Sequence, residues 1–204
     1  MDLKKVLKLC FLVAIEAIFC FTPLGSIPIG PIVATLAMLP VIVTALIFGY
    51  KEGMFLGFVM ATFCFIYWTF IMPAYPTAFL FTPFSEAAGY KGNFFSLIIC
   101  FVPRILTGLV PALVLKMNDV KKVKNDFGKE IFNFKSSIAA ILGSLTNTFL
   151  VLIFIFIFFG REYETILENS LIVILGTTIL TNGIPEAIIA GIVCPVIAKA
   201  IKNI

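Results

Sequence analysis

From about residue 171 to 198 the chain stays apolar for longer than the roughly 20 residues a helix needs to cross a bilayer. Thr178, Asn182 and Glu186 recur inside that run at four-residue spacing, so on a helix their side chains form one polar stripe. Amide and ionisable groups at membrane depth are costly unless they face a protein-lined cavity or a partner. The stripe is therefore a candidate buried site between helices.

Other apolar runs, at about 6–21, 32–48, 54–72, 94–115 and 136–159, precede it. Charged residues make up only 13% of the chain, against about a quarter in soluble domains. With 61% hydrophobic residues and a mean hydropathy of +1.12, the expectation is an all-α integral membrane protein. Residues 1–204 would form a single membrane domain of six transmembrane helices in one bundle. The first run has lysines before it but no small-residue cleavage site after it, so it reads as a helix and not a signal peptide.

The positive charges test the topology. With both termini cytoplasmic, Lys4, Lys5, Lys8, Lys51, the lysines from 116 to 135, Lys199 and Lys202 fall inside. Lys91 and Arg161 fall outside, and Arg104 lies within a helix. The net charge of +4 is thus mainly topological, and no soluble basic patch with interleaved aromatics points to nucleic acid.

The chemistry is narrowed by what is missing. There is no histidine, no phosphate-binding GxxxxGK[ST] loop and no nucleophile elbow, so neither ATP hydrolysis nor common hydrolase chemistry is expected of this chain. Cys10, Cys20, Cys64, Cys100 and Cys194 lie in apolar runs without CxxC spacing, which gives no metal or disulfide motif. No cofactor is expected.

At 1.5 Å per residue, Arg104, Asn147 and Asn182 sit roughly 15 to 18 Å below the outer ends of their helices, with Glu186 one turn deeper. Arg104 either pairs with Glu186 or Glu16 or offers its guanidinium to an anionic ligand. Pro40 is expected either to kink the second helix or to be absorbed by its neighbours. Tyr67 and Trp68 read first as interface aromatics and second as a stacking surface. Tyr75 lies in the stretch 73–93, which is too long for a turn and rich enough in aromatics to be either a lid over a site or a re-entrant cover without ligand contact.

The run 39–58 (LPVIVTALIFGYKEGMFLGF) resembles the second and third helices of the substrate-binding components of energy-coupling factor (ECF) vitamin transporters. The segments 102–108 (VPRILTG), 142–148 (LGSLTNT) and 181–187 (TNGIPEA) extend the match and are most similar to the pantothenate branch. The resemblance implies a six-helix subunit in the cell membrane that captures a small vitamin. It also implies partners, namely a transmembrane coupling subunit and two ATPase subunits, with membrane lipid around the bundle. Candidate substrate-binding residues are then Arg104 for a carboxylate, Asn147, Asn182 and Glu186 for hydroxyls and amide, and Trp68 and Tyr75 as aromatic contacts. The family's alanine-xxx-alanine docking motif is not reproduced on helix one, where Ala14 and Ala17 are three apart and Cys10 with Ala14 is the nearest small pair. Riboflavin, pyridoxine, a stand-alone transporter or channel, and a purely structural membrane protein are the alternative readings.

Overall fold

A computed structural model describes residues 3–22, 25–29, 32–87, 89–118, 128–167 and 169–203. In chain order they form α1 (Leu3–Phe21), β1 (Ser26–Ile29), β2 (Ile32–Thr35), α2 (Met38–Phe48) and α3 (Tyr50–Ile66). A π-turn (Tyr67–Ile71), a 3-10 turn (Ala78–Leu80) and the short strands β3 (Glu86–Ala87) and β4 (Tyr90–Lys91) lead to α4 (Phe94–Asn118). Then come α5 (Gly128–Leu167), α6 (Leu171–Thr178), a second π-turn (Ile179–Gly183) and α7 (Ile184–Asn203).

Among the described residues, four stretches are long and apolar enough to cross a membrane: Tyr50–Ile71, Phe94–Lys116, Phe134–Thr165 and Ile172–Ile201. Their outer faces expose large apolar side chains such as Phe58, Phe156, Leu180 and Ile192, the surface expected against lipid. The polar connection expected over 116–135 is shorter than read, since α4 runs to Asn118 and α5 starts at Gly128. Residues 119–127 lie outside the described residues. The link expected at 160–164 is helical instead, and α5 passes through a kink at Phe159 (φ −137°, ψ 22°).

The region expected to begin helix two is a β-hairpin. β1 and β2 pair antiparallel from Ser26↔Thr35 to Ile29↔Ile32. The β-branched residues of Ile27–Ile29 and Ile32–Thr35, split by Gly30-Pro31, favour strands over a helix. The shortened α2, 11 residues or about 16 Å, covers only about half of a hydrocarbon core. Met38 through Leu46 are all buried, so α2 is the central helix of the bundle. Pro40 now falls in the first turn of α2, where an N–H has no helical partner anyway, and the expected kink loses its cause.

Both π-turns end two residues before a proline. Met72 N–H reaches back to Tyr67 O (3.0 Å) and the next residue is Pro73, while Ile184 closes on Ile179 O just before Pro185. Proline offers no N–H to an i−4 carbonyl, so the ladder loses a bond there and the adjoining turn can widen.

Glycine sets the spacing of α3 and α4. A Cβ at Gly53 would lie 2.3 Å from Gly108 O, one at Gly108 would lie 2.0 Å from Gly53 O, and one at Gly57 would lie 2.3 Å from Arg104 O. The two backbones touch. Gly108 thus lets α4 lie against α3, and Gly57 does the same where the backbone of Arg104 passes. Two apolar clusters flank the middle of the bundle, one around Leu12, Ile42, Leu56 and Met60, the other around Phe79, Phe81, Ile99 and Ile155.

Candidate functional site

A recessed cavity opens where the two clusters meet, lined by residues of both, including Met60 and Val151. Its volume of ≈ 60 Å³ on the scale where one water takes about 10–15 Å³ leaves room for a cluster of roughly four to six waters. Its wall gathers Arg104 from α4, Asn147 and Thr148 from α5, Thr178 and Asn182 from either end of the α6 junction, and Glu186 from α7. The four polar residues that sequence depth aligned therefore share one cavity, and all four are buried.

Arg104 is only 4% exposed, and its position follows from its neighbour. Pro103 cannot donate to Ile99 O, so that carbonyl lacks its helical bond. Arg104 Nη1 fills the gap, donating to Ile99 O at 2.8 Å. Nη2 lies 3.9 Å from Cys64 Sγ, and the guanidinium carbon sits 5.1 Å above the centre of the Phe81 ring. Arg104 Nε is buried without a hydrogen-bond partner, and so is Asn147 Oδ1. The ion pair with Glu186 or Glu16 does not form: no carboxylate among the described residues lies within 4.0 Å of the guanidinium. Glu16 instead accepts from the Cys20 thiol at 3.2 Å.

Glu186 has protein donors on both oxygens. Thr35 N–H donates to Oε1 at 2.5 Å and Thr148 Oγ1 to Oε2 at 3.3 Å.

The aromatic side departs from an interface belt. Trp68 is buried on the cavity wall, stacked on Phe81 (5.7 Å, 22°) and edge-on to Tyr67 (5.3 Å). The wide turn over 67–71 brings Tyr67 and Trp68 to the cavity together. Tyr75 does not reach the wall and packs against Trp68 from behind, at 5.4 Å. Two residues of the stretch 73–93, Thr77 and Phe81, line the cavity, and the stretch is tied down where Ser85 Oγ donates to Pro73 O (2.5 Å) and Ser96 Oγ to Phe79 O (2.7 Å).

Sequence reasoning missed Phe81, Thr77, Cys20, Cys64 and Thr35 as wall residues. The aromatic-rich loop was the only signal for Phe81, and nothing in the hydropathy pattern marked Thr35, which had been read as helical.

The Phe81 contact predicts a measurable effect. Phe81→Leu keeps the apolar bulk but removes the ring under the guanidinium and the stack on Trp68, so ligand affinity should fall by about 3- to 30-fold, the range of a partly desolvated cation–π contact. Titration calorimetry on the purified variant measures it, with fluorescence of the single tryptophan as a second readout.

Apolar helices of membrane-spanning length thus enclose a polar cavity whose wall carries Arg104 Nε and Asn147 Oδ1 without hydrogen-bond partners. The chain belongs to the ECF transporter substrate-specific components, whose family profile matches residues 4–198. It is 38% identical over 178 residues to the pantothenic acid transporter PanT of Lactococcus lactis subsp. cremoris, covering 85% of this chain and 82% of that one. The family is a transporter component and not a catalytic one.

Proposed function

We propose that this protein is the capture subunit of an ECF-type vitamin importer of the cell membrane and that its substrate is pantothenate. The observation that carries the reading is Arg104, a buried cation on the cavity wall with Nε unpartnered and no carboxylate of the described residues within 4.0 Å. A permanent charge so placed is satisfied by an anionic ligand. Pantothenate carries a carboxylate at one end, an amide in the middle and two hydroxyls at the other. Arg104 takes the carboxylate, while Asn147 Oδ1 accepts from an amide or hydroxyl and Asn182 serves the same end of the chain. The similarity to the Lactococcus transporter supports the choice of vitamin.

In this reading the bundle crosses the membrane six times with both termini in the cytoplasm, the cavity loads from outside, and release inward requires docking on a transmembrane coupling subunit driven by two ATPase subunits. The chain itself neither hydrolyses ATP nor alters the vitamin. Calorimetric titration of the detergent-purified protein with pantothenate, riboflavin and pyridoxine tests the substrate. Tight one-to-one binding of pantothenate alone is expected; tight binding of another vitamin of the panel would overturn the choice while leaving the family intact.

A further inference from the structure

The β1–β2 hairpin leads into α2, and β2 packs against the π-turn Ile179–Gly183 that carries Asn182. Leu36 N–H donates to Gly25 O at 3.0 Å, just beyond the last pair of the ladder. That bond makes Ser26↔Thr35 a non-hydrogen-bonded pair, whose N–H groups point away from the opposite strand. The outward N–H of Thr35 meets Glu186 Oε1 at 2.5 Å, across 151 positions of sequence. Thr148 on α5 holds the second carboxylate oxygen at 3.3 Å. One side chain thus joins the hairpin, α5 and α7 at the wall of the cavity, to which Thr35 and Ala37 also contribute.

We infer that Glu186 is a positioning residue: it latches the hairpin across the cavity and governs how long a ligand stays, acting through Thr35 and not by holding the ligand itself. This rests on the capture reading above and assigns Glu186 a different task from Arg104 and Asn147. A protein donor on each carboxylate oxygen fixes the Glu186 side chain between the hairpin and α5, whereas Arg104 Nε and Asn147 Oδ1 have no protein partner and are left for a ligand. Glutamine keeps an acceptor oxygen for Thr35 and alanine does not.

The test is hydrogen exchange of the segment 26–37 in the ligand-free, full-length protein in detergent, with α4 as the internal control. Glu186→Ala should speed exchange there by about 10- to 100-fold, the loss of a hydrogen bond to a charged acceptor, while Glu186→Gln restores most of the protection. With pantothenate as probe in stopped-flow, Glu186→Ala should raise the dissociation rate by a similar factor and change the association rate little, and Glu186→Gln should stay near the wild-type rates. Should Glu186→Ala not fold, Thr148→Val removes only the second clamp and should accelerate exchange by a smaller factor. Unchanged exchange in 26–37 for these variants overturns the latch, as does equal loss of pantothenate by Glu186→Gln and Glu186→Ala with the hairpin still protected. If the wild-type protein does not bind pantothenate, the substrate reading fails, and the exchange experiment still decides the latch.

Discussion

Arg104→Ala should reduce pantothenate affinity by at least about 100-fold, the largest effect of any single substitution at the cavity. Hydrogen bonds to charged groups contribute about 1.5–3 kcal/mol each, and a bidentate pair with a carboxylate loses two of them together. Alanine also empties space beside Phe81 and leaves Ile99 O without its donor. Arg104→Lys separates these contributions: the charge remains, but an ammonium cannot bridge a carboxylate, Ile99 O and the Phe81 face with one planar fork. It should recover only part of the lost affinity. Titration calorimetry of the three proteins measures the series, and binding unaffected in Arg104→Ala would relegate the arginine to holding α4 together at Ile99.

The second large effect is on the fold. Gly108→Leu places a branched side chain where even a Cβ would lie 2.0 Å from Gly53 O, a contact with backbone that no rotamer can avoid. α3 and α4 must separate, and overpacking of this kind costs at least about 1–3 kcal/mol. The damage reaches the cavity because Arg104 and Cys64 sit one to three turns further along the same two helices. The variant should show a clearly lowered thermal midpoint in detergent together with weakened ligand binding. Gly176→Ala is the matched control, since a Cβ there meets nothing within 4 Å. A Gly108→Leu protein as stable as that control would refute the close packing.

Much of the cavity was legible along the chain because its key residues are exceptions to their surroundings. In apolar runs, Arg104, Asn147, Asn182 and Glu186 stand out, and counting rise per residue from the helix ends brings them to one depth. The class of protein and the positions of its long helices follow from the same apolar runs, since only helices or closed barrels satisfy backbone groups in lipid.

Hydropathy could not say which apolar side chains face the interior. A membrane helix is apolar toward lipid and toward its neighbours alike, so Phe58 and Met60 read the same in sequence, yet Phe58 is exposed and Met60 buried. For that reason Trp68 reads as an interface residue in the sequence, whereas its ring stacks on Phe81 at the cavity wall. Strand β2 lies inside the apolar run 32–48, which reads as helix in the sequence, and this conceals the partner of Glu186, 151 positions away. A multi-helix membrane protein and the identity of its buried polar groups follow from the chain alone, because burial cost depends on residue type and depth. That Arg104 has no carboxylate partner among the described residues while Glu186 has a protein donor on each oxygen emerges only in three dimensions, because it depends on distances of a few ångströms between elements far apart in the chain.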